Sequence, residues 1–300
     1  MMNKNVLEQI REIVGADYVL EAEPMSRHTS MEVGGPASCY IRPASGEEAA
    51  AVLSVLKNES IPYYVIGNGS NLIVRDEGFQ GAVIEMLRLS EITADGTAVT
   101  AGCGAMLKDI ARFAADRALS GFEFASGIPG SLGGAVTMNA GAYDGEMKDI
   151  ITSVTLLDAN GTIVIKSCEE MRFSYRHSIC SEEKYIVLSA TFRLEAGNKA
   201  EIEAKMDDLS LRRKEKQPLE YPSCGSTFKR PEGYFAGKLI TDAGLKGFRL
   251  GGAQVSEKHA GFVINRDHAS AADVLALIEH VQKTVKEKFG VELKCEVKII

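Results

Sequence analysis

Ser126-Gly-Ile-Pro-Gly-Ser-Leu-Gly-Gly-Ala-Val-Thr-Met-Asn-Ala-Gly-Ala-Tyr143 carries five glycines and no charged side chain. It supplies too few large side chains for an ordinary core and is too apolar for a linker. A backbone that runs close to a large ligand accounts for both features. The small Ala135, Ala140 and Ala142 leave room for a flat ring. A second stretch, Gly67-Asn-Gly-Ser-Asn71, lies between apolar strand candidates at 63–66 and 72–74. Its glycines permit positive φ and close approach, so successive N–H groups can point at an anion, and Ser70 and Asn71 add side-chain donors. Read alone, these five residues fit a plain hairpin turn equally well. Gly67-x-Gly69-x-x-Leu72 lacks the third glycine of the Rossmann fingerprint, and the Gly237-Lys238 pair is followed by Leu239, outside any Walker A pattern.

Composition narrows the function classes. The 300 residues are 45% hydrophobic and 25% charged, which is ordinary globular usage with length for two or three packed units. A net charge of −7 argues against a general nucleic-acid binder, though not against a local basic pocket. The six cysteines form neither a C-x-x-C pair nor a zinc spacing, so reduced thiols and no metal are expected. The N-terminal MMNKNVLEQIREIVG is charged throughout and lacks the apolar core of a signal peptide. No run approaches the roughly 18 apolar residues of a membrane span. A cytoplasmic protein without membrane insertion is the expectation, and the sequence carries no signal for oligomeric state.

The pattern to about residue 195 is mixed, with strands in the majority. Helices are expected at 4–14, after Ser45-Gly-Glu-Glu48 to about 57, and at 106–119. Strands are expected at 63–66, 72–74, 82–86 and 185–194, with hairpins at Asp95-Gly96 and Asn160-Gly161. Beyond Glu195-Ala-Gly-Asn198 the texture changes. A long polar helix at 199–216 ends before Pro218, and a short one covers 236–243. A strand follows at 261–265, then an amphipathic helix at 271–289 and a final strand at 291–300. The fold class expected is α+β, with a boundary near 196–200 and a smaller α/β layer behind it.

Taken together, Gly-Asn-Gly-Ser-Asn-Leu72, the 126–143 stretch and His28-Thr-Ser-Met-Glu-Val-Gly-Gly-Pro36 resemble the UDP-N-acetylenolpyruvoylglucosamine reductase (MurB) family of bacterial peptidoglycan synthesis. The likeness covers almost the whole chain, with separated motifs in order. It resembles the shorter type, without the large insertion and additional tyrosine loop. The resemblance implies a two-part FAD-binding domain of the vanillyl-alcohol-oxidase (PCMH) type over 1–198, split near 80. A substrate-binding domain would cover 199–300, its last strand returning toward the active site. It further implies noncovalent FAD, NADPH as hydride donor and UDP-N-acetylglucosamine enolpyruvate as substrate. The cofactor residues so implied are Ile66, Gly67, Asn68, Gly69, Ser70, Asn71, Leu72 and Gly102. In the second stretch they are Ser126, Gly127, Ile128, Pro129, Gly130, Ser131, Gly133, Gly134, Ala135, Asn139, Gly141 and Ala142.

Three further residues gain roles from the same resemblance. Arg176, in Met-Arg-Phe-Ser-Tyr-Arg-His-Ser178, would otherwise be a surface cation. Aromatic neighbours favour a partly buried site where Arg can grip a carboxylate. Ser226, in Pro-Ser-Cys-Gly-Ser-Thr-Phe-Lys229, is by itself part of a small-residue turn and no nucleophile elbow. The family motif makes it a proton donor. Glu296 alternates with Cys295 and Val297 and would share a strand face with Lys294 and Lys298, a solvated face on its own, and the resemblance makes it the third catalytic residue. Tyr175, Arg213, Lys216, Lys229 and His259 match substrate-side positions, the cations suiting a diphosphate. Two alternatives stay open: another FAD-dependent oxidoreductase of this domain class, and a non-catalytic nucleotide-sugar-binding module.

Overall fold

The computed structural model describes residues 2–143 and 145–300. Two compact units emerge. The first comprises Met1–Glu21, Cys39–Asn68 and Gly81–Arg212, and the second Ala22–Ser38, Gly69–Gln80 and Arg213–Ile300.

In the first unit, the helix Lys4–Val14 buries Val6, Leu7, Ile10 and Val14. The helix Gly46–Asn58 is capped by Ser45, whose side chain accepts the Glu48 N–H at 3.1 Å. Glu48 reaches back to the Ala44 N–H at 2.7 Å, one residue short of the reciprocal capping box that the sequence pattern suggests. A five-stranded antiparallel sheet runs in the order Ile163–Ser167, Ile151–Leu157, Ile186–Arg193, Ala98–Gly102, Ile92–Asp95. Both expected hairpins lie in it, at Asp95-Gly96 and Asn160-Gly161, each glycine at positive φ. The strand Tyr63–Ile66 pairs in parallel with Phe79–Glu85, which sets Ile66 opposite Glu85. The core joins Val99, Ala101, Leu107, Phe122, Leu156 and Phe192, among others, all almost completely buried.

The second unit packs the helix Ala271–Phe289 over the three-stranded antiparallel sheet Arg249–Leu250, Ala253–Val255, Val263–Asn265. Val274, Leu277, Ile278, Val281 and Val285 are its buried face, the stripe read from the sequence. Ser270 and Asp273 form a capping box at its start, and Gly290 ends it at φ 70°. Asp76 adds a second carboxylate there, accepting the Ala271 and Ala272 N–H groups at 2.8 Å each.

The units do not follow the expected boundary at 198. Most of the polar helix Lys199–Lys216 belongs to the first unit, tied by Lys199–Asp116 and Arg112–Glu203 ion pairs. Conversely, Ala22–Ser38 and Gly69–Gln80 join the C-terminal residues, because Met31, Val33 and Ile73 are buried in the same core as Phe228, Val263 and Leu277. These contacts join residues far apart in sequence, so no local signal marks them. The second correction concerns the 126–143 stretch. Its middle folds as a short helix, Leu132–Thr137, whose Leu132, Ala135 and Val136 enter the core. The stretch therefore does contribute to packing, through its few branched side chains. Thirdly, the expected strand at 291–300 is broken. Cys295 makes an isolated antiparallel bridge with Phe228, and Lys298–Ile299 pair in parallel with Leu72–Ile73.

Candidate active site

In the first unit, the two glycine stretches meet. The Asn68 side-chain Nδ2 donates to the Pro129 carbonyl at 2.7 Å. A Cβ on Gly67 would lie 2.0 Å from the Ser131 hydroxyl oxygen, so only glycine brings the two chains this close. Ser131 is 2% exposed, and its Oγ is buried with no hydrogen-bond partner among the described residues. An unpaired buried hydroxyl costs free energy, and a ligand acceptor or donor at this point would remove that cost. An orphaned hydroxyl beside a backbone approach that only glycine permits fits the phosphates of a dinucleotide. The group the resemblance implies, FAD, suits this donor set.

Other expected cofactor residues have roles inside the protein. Gly102 and Gly133 pack against the Leu89 carbonyl and Cys103, and Gly141 against Gly145. Gly134 is open. Ile66, Ala135 and Gly130 are buried, Ser126, Gly127, Ile128 and Ala142 are half-buried, and Pro129 is exposed. Asn139 is fully buried at φ 43°, an asparagine-tolerant conformation. Its Nδ2 donates to Glu146 at 2.6 Å and to the Ser174 carbonyl at 3.2 Å, while its Oδ1 accepts the Lys148 N–H at 3.0 Å. Ser178 Oγ donates to the Thr137 carbonyl at 2.9 Å. Ser174 and His177 pair across a tight turn with Tyr175 and Arg176 at its tip. The glycine stretch thus holds the Arg176 turn at both ends. Arg176 is half-buried at φ 54°, its guanidinium 5.1 Å from the exposed Tyr175 ring.

In the second unit, Gly69 completes the first loop at φ 60°, where a Cβ would stand 1.9 Å from the His28 carbonyl. Ser70 and Asn71 are half-buried and Leu72 is buried. Thr227, 1% exposed, is the hub that sequence reasoning missed. Its N–H donates to the Gly261 carbonyl at 2.9 Å, its Oγ1 accepts the Val263 N–H at 3.0 Å, and its carbonyl accepts the Glu296 N–H at 2.9 Å. Ser226 follows Gly225 at φ 72° and stands one residue before the threonine whose main chain pairs with Glu296, and both Ser226 and Glu296 are half-buried. The neighbouring Lys229 N–H donates to the Lys294 carbonyl at 2.8 Å. No local sequence signal marks this threonine, whose partners at 261, 263 and 296 lie far along the chain.

His259 belongs to the same cluster. Its Nδ1 accepts the Gly261 N–H at 3.1 Å, which leaves the proton on Nε2 in the neutral ring. Burial lowers its pKa from the ordinary histidine value. Phe262 meets the ring edge-on, with centroids 4.9 Å apart. Lys258 Nζ donates to the Lys214 carbonyl at 2.6 Å, which ties the His259 turn to the segment bearing half-buried Arg213 and exposed Lys216. Among the described residues, no group of three or more His, Cys, Asp or Glu is placed to hold a metal ion. The six cysteines are free thiols, and no described helix is long and apolar enough to cross a membrane.

Comparison with known proteins gives a consistent picture. Residues 217–300 match the UDP-N-acetylenolpyruvoylglucosamine reductase C-terminal domain family, and residues 37–167 match an FAD binding domain family. The UDP-N-acetylenolpyruvoylglucosamine reductase of Caldanaerobacter subterraneus subsp. tengcongensis is 53% identical over 299 residues, covering 100% of this chain and 99% of that protein. That of Clostridium perfringens is 56% identical over 277 residues, 92% of this chain and 91% of its own length. The solved structure of the reductase MurB from Thermus caldophilus superposes with a TM-score of 0.80 at 35% identity, covering 94% of this chain and 97% of that one. Phl p 4, a grass pollen allergen with glucose dehydrogenase activity, shares the fold alone: TM-score 0.51, 16% identity, 65% of this chain and 44% of its own.

Proposed function

The chain belongs to the UDP-N-acetylenolpyruvoylglucosamine reductase family, and on that premise we propose how its own residues carry the reaction. The enzyme takes hydride from NADPH and reduces UDP-N-acetylglucosamine enolpyruvate to UDP-N-acetylmuramate, a step of peptidoglycan precursor synthesis in the cytoplasm. Bound noncovalently, FAD supplies hydride acceptance from NADPH and hydride delivery to the methylene carbon of the enolpyruvyl ether. Gly67–Ser70, the main chain of Asn71 and Ser126–Ala142 would hold it, with the Ser131 hydroxyl and the loop N–H groups on its polar part.

Hydride addition at the methylene pushes negative charge onto the adjacent carbon and its carboxylate. Arg176 stabilises that enolate through paired N–H donors, a preorganised charge that costs no rearrangement during the step. Ser226 then gives its hydroxyl proton to the carbon. Serine is a weak acid, yet a carbanion-like enolate is basic enough to take the proton. Glu296 orients the developing enol. Tyr175, Arg213, Lys216, Lys229 and His259 grip the UDP portion.

One observation supports this reading over another FAD oxidoreductase: the Thr227–Glu296 main-chain bond, which joins the segment carrying Ser226 to the segment carrying Glu296. The test is NADPH oxidation by the purified yellow protein with and without UDP-N-acetylglucosamine enolpyruvate. Oxidation that depends on this substrate is expected. Protein that binds the substrate without flavin, or oxidises NADPH regardless of it, would overturn the reading.

A further inference from the structure

Asn71 closes the first glycine loop, where its side chain was expected to serve the cofactor. Its Nδ2 instead donates to the main-chain carbonyl of Glu296 at 3.1 Å. The Asn71 carbonyl accepts the Lys298 N–H at 2.9 Å, and the parallel pairing of Leu72 with Lys298 begins one residue later. On its other side, Glu296 donates its N–H to Thr227 at 2.9 Å. Glu296 therefore sits between two pairings: the antiparallel bridge of Cys295 with Phe228, and the parallel ladder that starts at Lys298. Neither ladder reaches the Glu296 carbonyl. The Asn71 carboxamide spans that gap with the one type of group that can, a short side chain ending in an N–H donor.

We propose that Asn71 is a positioning residue for Glu296, acting on the substrate step through the Glu296 main chain and not on cofactor retention. The inference rests on the role given above to Glu296. Removing the donor leaves the carbonyl without this bond and frees the 296–297 backbone to shift. Misplacement of a reacting group by about 1 Å slows a step by on the order of 100-fold.

The test is Asn71→Asp in the FAD-loaded enzyme, nearly isosteric but with an oxygen facing the carbonyl. Three quantities are measured: FAD dissociation constant, flavin reduction by NADPH, and flavin reoxidation by the enolpyruvyl substrate. The first two should stay within about twofold of wild type, while reoxidation at pH 8 slows roughly 10- to 100-fold. As pH falls toward the carboxylic acid range of about 4 to 5, the introduced acid gains an O–H donor, and the variant-to-wild-type ratio should recover. Asn71→Ala should slow the same step with no such recovery, and it carries the half-reaction split if the first variant fails to fold. Weakened FAD binding with both half-reactions slowed alike would assign Asn71 to the cofactor and overturn the proposal. So would unchanged reoxidation, or a ratio that stays flat with pH. Wild-type turnover tests the reductase reading separately, since its failure would appear before any substitution is made.

Discussion

Gly67 and Ser131 should be coupled, and the coupling can be worked from their separation. In Gly67→Ala the new methyl would lie 2.0 Å from Ser131 Oγ, and 3.3 Å from Ser131 Cβ. The hydroxyl must move within a closely packed loop, which costs about 1–3 kcal/mol by the usual penalty for overpacking. Ser131→Ala removes a buried hydroxyl that has no partner among the described residues, so the FAD-free protein should be unchanged or up to about 1 kcal/mol more stable. With both changes the nearest contact is the one at 3.3 Å, and most of the first penalty should vanish. The expected coupling energy is about 1–2 kcal/mol, favouring the double variant. Urea unfolding of the FAD-free proteins measures it, and FAD titration should show weaker binding in all three variants. Effects that add within about 0.5 kcal/mol would refute the close approach of the two loops. FAD affinity unchanged in Ser131→Ala would refute the reserved hydroxyl.

Three other perturbations probe the supports of the site. Asp273→Ala removes the acceptor of the Gly252 and Ser270 N–H groups and should cost about 1–2 kcal/mol in urea unfolding. These bonds, the Gly252 one foremost, hold the Asp273 carboxyl below its usual range. The contribution is therefore present above about pH 4 and lost as pH falls through the lowered folded value, and an unfolding difference that persists at pH 2 would contradict it. For His259 the sign is opposite in origin but similar in direction. Burial disfavours the charged ring, so below about pH 6.5 the unfolded chain binds a proton that the folded chain refuses, and stability falls as pH drops. His259→Gln should flatten that slope between pH 8 and 5.5, and parallel wild-type and variant slopes would count against it. Asn139→Ala leaves the Ser174 carbonyl and Lys148 N–H without their present bonds, at about 1–3 kcal/mol, and should lower turnover by loosening the Arg176 turn. Unchanged turnover at temperatures where the variant stays folded would separate Asn139 from Arg176.

What the sequence made legible was local. Ser45 with Glu48, Asp95-Gly96, Asn160-Gly161 and the apolar stripe from Val274 to Val285 each carry their structural instruction within a few residues. The glycine stretches were legible as backbone permitting close approach, and a Cβ at Gly67 or Gly69 would stand 2.0 Å from the Ser131 hydroxyl or 1.9 Å from the His28 carbonyl, both partners within the protein that the sequence did not indicate. The unit to which Ala22–Ser38 belongs was not legible, because Met31 and Val33 find their core partners about 200 residues later. Nor were the destinations of the Asn71 and Asn139 amides. A carboxamide in a glycine-rich motif advertises hydrogen bonding, but its partner is set by tertiary placement. Thr227 shows the same limit: three bonds converge on it, and nothing in Ser226-Thr-Phe228 distinguishes it from a loop threonine.

The central claim is that Ser226 protonates the substrate carbon in a flavin-dependent reduction. Stopped-flow flavin absorbance of Ser226→Ala against wild type tests it most directly, because the two half-reactions separate in one instrument. The account predicts normal flavin reduction by NADPH and reoxidation by UDP-N-acetylglucosamine enolpyruvate slowed by at least roughly 100-fold, the low end of what one general acid contributes. Reoxidation at the wild-type rate would contradict it.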